Sequence, residues 1–142
     1  MTGPLISIII PSYNSMSYNK CIDKVLHSIM NQTYKNVEIL VIDNFSLDNT
    51  KEACERFPVQ FIRYKGSRSA ARNLGLERAR GEFILFLDSD QVLSSTVLEE
   101  CVDLTVSASA NCIFIPTKWV EYKPSESFLN WVALHNLEVE IG

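Results

Sequence analysis

The sequence predicts an α/β fold built on a mostly parallel sheet flanked by helices. Two observations carry this. Short apolar runs recur about every 25 residues, and each is followed by a stretch with helical spacing, which is the rhythm of repeated strand-helix units. At 142 residues, 46% hydrophobic and 21% charged, the chain has the size and composition of one globular domain with a real core.

The first strand is read over Leu5–Ile10 and closed by Pro11, because proline cannot donate to a ladder. Ile22, Val25, Leu26, Ile29 and Met30 then mark one face of a helix over Ser17–Met30. Val37–Ile42 is the second strand. Ser46 is expected to cap a helix with Leu47, Cys54 and Phe57 inward, stopped by Pro58 before a third strand over Val59–Tyr64. Gly66 marks a turn, and a third helix over Ser69–Arg80 ends at Gly81, expected at the left-handed terminus. The fourth strand, Glu82–Leu87, has an unbroken apolar run, which predicts a position in the centre of the sheet with both faces covered. Ser94 or Ser95 is expected to cap a fourth helix reaching Val106, and Cys112–Ile115 reads as a fifth strand ended by Pro116. Beyond Ser125, Phe128, Leu129, Val132 and Leu137 suggest a helix with no strand after it. The domain reading is therefore 1–117 as the α/β body and 118–142 as an incomplete helical start of a further region.

A formal charge of −4, from 13 basic and 17 acidic side chains, has the wrong sign for a phosphate-backbone binder, so nucleic acid is not an expected partner. No apolar run is long enough for a signal peptide or membrane span. A cytoplasmic location is expected, with attachment to the cytoplasmic face of a membrane left to regions outside this chain. Cys21, Cys54, Cys101 and Cys112 show neither CxxC nor paired histidine spacing, so all four are read as reduced and non-ligating. His27 is read as a partly buried packing residue, and Trp119 and Trp131 as packing residues or a sugar platform.

Ligands of open parallel sheets bind beyond the carboxyl ends of the strands. Those loops here hold Ser12-Tyr13-Asn14, Asp43-Asn44, Gly66-Ser67-Arg68 and Asp88-Ser89-Asp90. Neither GxGxxG nor GxxxxGK[ST] occurs, which argues against dinucleotide dehydrogenases and P-loop nucleotidases. Two carboxylates two positions apart at a strand end can share a hard cation whose remaining ligands come from a substrate phosphate. An ordinary aspartate-rich turn is the competing reading.

The stretches SIIIPSYN, NQTYKNVEILVIDNFSLDNT and SAARNLGLERARGEFILFLDSD resemble the inverting family 2 glycosyltransferases, over about Ile6–Asp90. The resemblance implies a Rossmann-like GT-A fold, of which this chain would be the donor-binding half, truncated before the acceptor side. It implies a nucleotide-diphosphate-sugar donor, a UDP-sugar being favoured, with Mn2+ or Mg2+ as cofactor and a glycan or lipid-linked acceptor. Position by position, it places Pro11, Ser12, Tyr13 and Asn14 along the nucleoside and Asp43 at the base. It places Ala71, Arg72 and Asn73 in the helix, Ser89 at the donor, and Asp88 and Asp90 on the metal. Phe45 and Gln91 depart from the family's frequent glycine and aspartate. Arg68 and Arg72 are weighed as diphosphate contacts, Arg72 with a structural ion pair to a loop carboxylate as its alternative.

An inverting transfer needs a general base near the acceptor. Glu121, Glu126, Glu138 and Glu140 stand in no recognisable motif, so the base is expected outside this chain. The alternative is a non-catalytic nucleotide-sugar-binding fragment. A nucleotidyltransferase is disfavoured because Pro11–Ser17 is neither glycine-rich nor basic. Apolar residues after Lys118 are expected either to pack against a second copy, giving a homodimer or an exchanged element, or to stay poorly ordered.

Overall fold

The computed structural model describes residues 3–17 and 21–117. Expectations falling on Trp119, Trp131, the four late glutamates, the helix after Ser125 and the tail's packing against a second copy lie outside them. The chain divides into two compact units, Met1–Asn111 and Cys112–Gly142, and the architecture below is that of the first.

Its elements alternate as predicted: β1 (Ile6–Ser12), α1 (Cys21–Met30), β2 (Val37–Asp43), α2 (Thr50–Cys54), β3 (Val59–Arg63), α3 (Arg68–Arg78), β4 (Phe83–Phe86) and α4 (Val97–Ser107). The four strands form one parallel sheet in the order β3-β2-β1-β4. The core sits on the two central strands. Ile8, Ile9, Ile10, Leu40 and Ile42 are fully buried, each contributing about 1.5–3 kcal/mol. Ile6, Ile8 and Ile10 share a cluster with Ile22, Leu26, Ala53 and Leu98 from α1, α2 and α4. Ile9, Leu40 and Ile42 meet Ala71 and Leu74 of α3 on the other face. Alternating side chains of one strand thus feed two layers.

Pro11 does not close β1: the strand runs through it to Ser12, in register with Ile42 and Asp43. Pro11 shares parity with Ile9, whose carbonyl accepts the Leu87 N–H, so its missing donor faces the side on which pairing with β4 has already ended. Among the described residues β4 lies at the sheet edge rather than the centre. Ile84 and Phe86 are 37% and 44% exposed while Phe83 and Leu85 pack inward, so an unbroken apolar run here marks a half-covered edge strand. No strand forms at 112–115.

Three capping expectations change. Asn49, not Ser46, precedes α2, and Asp48 Oδ1 takes the Thr50 N–H and hydroxyl. Thr96, not Ser94 or Ser95, precedes α4; the Ser94 and Ser95 carbonyls instead accept from Gln32 Nε2 and the Thr33 N–H. Gly81 does not terminate α3, whose C-cap is Ala79 in an extended conformation. Glycine is required there by close approach, since a Cβ would stand 2.6 Å from the Ser7 nitrogen and 2.8 Å from the Leu5 carbonyl. Gly75 does the same for α3, where a Cβ would meet Ile9 Cγ2 at 2.4 Å.

Two buried polar side chains fix the ends of this frame. Fully buried Gln32 donates to the Ser28 and Ser94 carbonyls and accepts from the Leu98 N–H, tying α1 to the segment entering α4. At the amino end of the sheet, Glu38 accepts from Ser7 Oγ, the Arg80 N–H and the Arg80 guanidinium, while Ser7 Oγ accepts from the Gly81 N–H. None of the four cysteines forms a disulfide. Burial, with Asp43 and Glu55 nearby, pushes the Cys54 thiol up to about 12. His27 is exposed rather than partly buried, with its ring edge-on to Phe57 at 5.0 Å.

Candidate functional site

The carboxyl ends of β1, β2 and β4 converge because the two central strands are the longest and β4 pairs beside them in parallel. Asn44 N–H donates to the Ser12 carbonyl, and Tyr64 N–H to that of Asp43, so each strand end is pinned to its neighbour. Hydroxyls carry the connection across the rim. Ser12 Oγ and Ser15 Oγ lie 2.8 Å apart, and Ser15 Oγ donates to Ser89 Oγ at 3.0 Å, linking the loop after β1 to the aspartate triplet.

The loops after β1 and β2 are joined along their length. The Asn14 N–H donates to Ser46 Oγ and the Leu47 N–H to Asn14 Oδ1. The Met16 N–H and Ser17 hydroxyl both donate to Asp48 Oδ2. Burial alone would raise the Asp48 carboxyl, but these bonds and those from Thr50 outweigh it and hold it below the usual carboxylate range. Asp43 is fully buried, and its carboxylate takes the Ser46 N–H at 2.9 Å and the Ser46 hydroxyl. Tyr13, in contrast, is 60% exposed. It lines an open groove with Asn44, Phe45 and Lys65.

On the other side of the rim, Arg72 Nη2 donates to Asp88 Oδ1 at 2.9 Å, and the guanidinium carbon lies 5.7 Å from the Phe86 ring centroid. The ion pair weighed for Arg72 is therefore made. Its Nε is buried with no hydrogen-bond partner among the described residues. Gln91, where a further aspartate was the expected pattern, turns back so that its Oε1 accepts the Asp88 N–H at 3.0 Å. This closes the turn around Ser89 and Asp90, and Asp90 stays exposed. Ser67 caps α3 by accepting the Ala70 N–H, which leaves Arg68 exposed in the first helical turn.

The structure thus gathers Ser12, Asn14, Asp43, Asp88 and Ser89 into one bonded rim with Pro11 beneath it, and places Tyr13 on its groove. Sequence reasoning missed Ser15 and Asp48 and gave Ser46 and Gln91 other roles, yet all four hold the rim together. Hydroxyl and amide side chains in polar loops carry no periodicity, so only their three-dimensional partners reveal them.

Among the described residues, no group of three or more histidine, cysteine, aspartate or glutamate side chains is poised around a metal. The donor set present is two carboxylates. Asp88 keeps Oδ2 clear of its bond to Arg72, and Asp90 is exposed. A pair of this kind fits a hard divalent cation that takes its other ligands from phosphate and water.

The model of glycosyl transferase family 2 matches residues 7–137. The chain belongs to that family. A curated relative is the E. coli UDP-Glc:alpha-D-GlcNAc-diphosphoundecaprenol beta-1,3-glucosyltransferase WfgD, 35% identical over 119 residues, which are 80% of this chain and 46% of the relative. Among solved structures, S. aureus TarS 1-349 in complex with UDP superposes with a TM-score of 0.66 at 24% identity, covering 82% of this chain and 39% of that one. The mannosyltransferase PcManGT from Pyrobaculum calidifontis, in complex with GDP-Man and Mn2+, gives 0.65 at 24% identity over 75% of this chain and 34% of that one. At that identity the likeness is one of fold, and the fold of this family 2 chain is that of the GT-A glycosyltransferases. The chain spans less than half the length of the first curated relatives it matches.

Proposed function

We propose that this family 2 chain supplies the donor-binding half of an inverting glycosyltransferase that uses a nucleotide-diphosphate sugar, a UDP-sugar before others, and a divalent metal. The observation that carries the reading is the bonded rim itself, in which the end of β1 meets that of β4 through Ser12, Ser15 and Ser89 and that of β2 through the Asn44 N–H on the Ser12 carbonyl. Residues 1–117 form the nucleotide-sugar domain in this proposal, and 118–142 begin the acceptor side.

Tyr13 stacks on the base while Pro11, Ser12 and Asn14 shape the loop along the nucleoside. Asp43 is the base reader of this proposal: the Ser46 turn that buries it yields as the nucleoside enters, and its carboxylate then accepts a base N–H in a charge-assisted bond. Arg68, exposed at the start of α3, reaches the diphosphate. Arg72 orients Asp88, and Ser89 stays tied to Ser15. Asp88 and Asp90 would hold Mn2+ or Mg2+, and such an ion stabilises the negative charge that develops on a diphosphate leaving group. The acceptor hydroxyl attacks the anomeric carbon from the face opposite that leaving group, and its proton goes to a base beyond the described residues. A lipid-linked glycan acceptor is supported by the diphosphoundecaprenol in the name of the E. coli relative, and the proposal puts that acceptor at the cytoplasmic face of a membrane. No helix among the described residues is long and apolar enough to cross a membrane.

Titration with UDP, GDP, ADP and CDP, with and without Mn2+, tests site, base and metal together. UDP is expected to bind best and to need the metal. Equal, metal-independent, weak binding of all four refutes the reading.

A further inference from the structure

Phe45 stands where the fold itself favours another residue. Its backbone has φ +54°, a left-handed conformation that glycine adopts freely and an aromatic residue adopts only under constraint. The constraint is visible on both sides. Asn44 N–H is bonded to Ser12, the Asp43 carbonyl to Tyr64 and the Asp43 carboxylate to Ser46, so the turn is over-determined around the strained position. The ring gains little in return. It is 49% exposed, and its ring contact among the described residues, with the guanidinium carbon of exposed Arg63 at 5.7 Å from its centroid, is of the weak surface kind.

A strained backbone that presents a half-exposed ring is explained by what the ring faces. Phe45 lines the same open groove as Tyr13, Asn44 and Lys65, immediately beyond the ends of β1 and β2. That groove brings two exposed aromatic rings, a side-chain amide and a lysine to one place. Paired aromatic surfaces with a neighbouring cation suit a planar heterocycle carrying negative charge.

We infer that Phe45 is a specificity-determining residue that forms a second aromatic wall, beside Tyr13, for the heterocyclic base of a nucleoside diphosphate. The inference rests on the donor-site reading above and deepens it. Arg63, its guanidinium carbon over the Phe45 ring itself, backs that wall, and Lys65 in the same groove supplies the cation for the phosphates.

The test separates binding from folding. Phe45→Gly and Phe45→Asn both suit the left-handed backbone and lack the ring, whereas Phe45→Tyr keeps it. UDP and pyrophosphate are titrated in Mn2+ against all three variants and the wild type, with melting temperatures recorded alongside. The glycine and asparagine variants should keep or raise the melting temperature yet bind UDP about tenfold more weakly, with pyrophosphate affinity unchanged and Phe45→Tyr close to wild type. Unchanged UDP affinity in the ringless variants, or losses that fall equally on pyrophosphate or follow a drop in melting temperature, overturns the inference and leaves the donor-site reading standing. A wild type that binds no nucleotide overturns both.

Discussion

Replacing Glu38 by glutamine probes the device that sets where β4 begins. The carboxylate accepts three hydrogen bonds and lies 2.8 Å from Arg80 Nη2 while only 7% of its side chain is exposed. The bond and ion pair with the Arg80 guanidinium involve a side chain that is 71% exposed, so solvent screens them and they contribute about 0–1 kcal/mol together. The two from Ser7 Oγ and the Arg80 N–H are buried or partly buried. A glutamine oxygen can keep both, but each falls from charged to neutral strength, a loss of about 1 kcal/mol apiece. The expected cost is therefore about 2 kcal/mol at pH 7, on the order of 10 °C in melting temperature for a domain of this size.

Acid should erase that difference. Burial alone would raise the Glu38 carboxyl, but the bonds from Ser7 and Arg80 hold it below its ordinary value of 4.5. The unfolded chain consequently takes up this proton first as pH falls, so the stabilisation is complete above about 4.5 and lost as pH drops through the folded-state value. Urea titrations of wild type and Glu38→Gln from pH 7 to pH 3 should show two lines that converge. A gap under about 0.5 kcal/mol at pH 7, or one that persists unchanged at pH 3, would refute the account of a charge-assisted clamp.

The other expectations can be tested on the same protein. Asp88→Ala and Asp90→Ala should each remove the Mn2+-dependent part of UDP binding. By urea titration, Asp90→Ala should leave stability within about 0.5 kcal/mol, while Asp88→Ala loses up to about 1 kcal/mol with its partly exposed bond to Arg72. Gly75→Ala should cost about 1–3 kcal/mol by forcing α3 away from Ile9, read as an earlier denaturation midpoint with an unchanged slope. With its thiol pushed up to about 12, Cys54 should resist alkylation at pH 8 in the folded state while exposed Cys112 reacts; peptide mass mapping distinguishes them, and fast labelling of Cys54 would contradict its burial.

How much of this was legible depended on whether a residue acts through periodicity or through a partner. The isoleucines of β1 and the Ile22-Val25-Leu26-Ile29 face of α1 announce themselves by spacing, and the structure buries them as read. The strand ends carrying the polar loops followed from that rhythm. What failed were inferences in which one residue had two available explanations. Gly81 reads as a helix terminus, yet close packing against Ser7 and Leu5 requires it. The run Phe83–Leu87 reads as doubly covered, because an edge strand and a central one can share a composition. Ser46 reads as a helix cap, since nothing local shows that Asp43 will take its N–H and hydroxyl. The aspartate pair was readable as a pattern and the Arg72 ion pair was weighed, but the bond from the Asp88 N–H to Gln91 that closes the turn was not.

Those bonds divide the acidic residues of the rim by task. Asp43 and Asp48 spend their oxygens on Ser46, Thr50, Ser17 and the Met16 N–H, and so serve first as the hubs that fasten the loops after β1 and β2. Asp88 is half committed through Arg72, and Asp90 is exposed. A cation entering from solvent therefore meets little competition at the triplet and strong competition at Asp43 and Asp48, where it would have to replace several hydrogen bonds at once. The same division would let a chain of net charge −4 present this rim to the diphosphate of the proposed donor. Most of the local negative charge is already matched by donors of the protein, while Arg68 and Lys65 stand exposed beside it. On the proposed reading, metal preference within this rim follows from which carboxylates the fold has left unspent, a property set by serines and amides more than by the aspartates themselves.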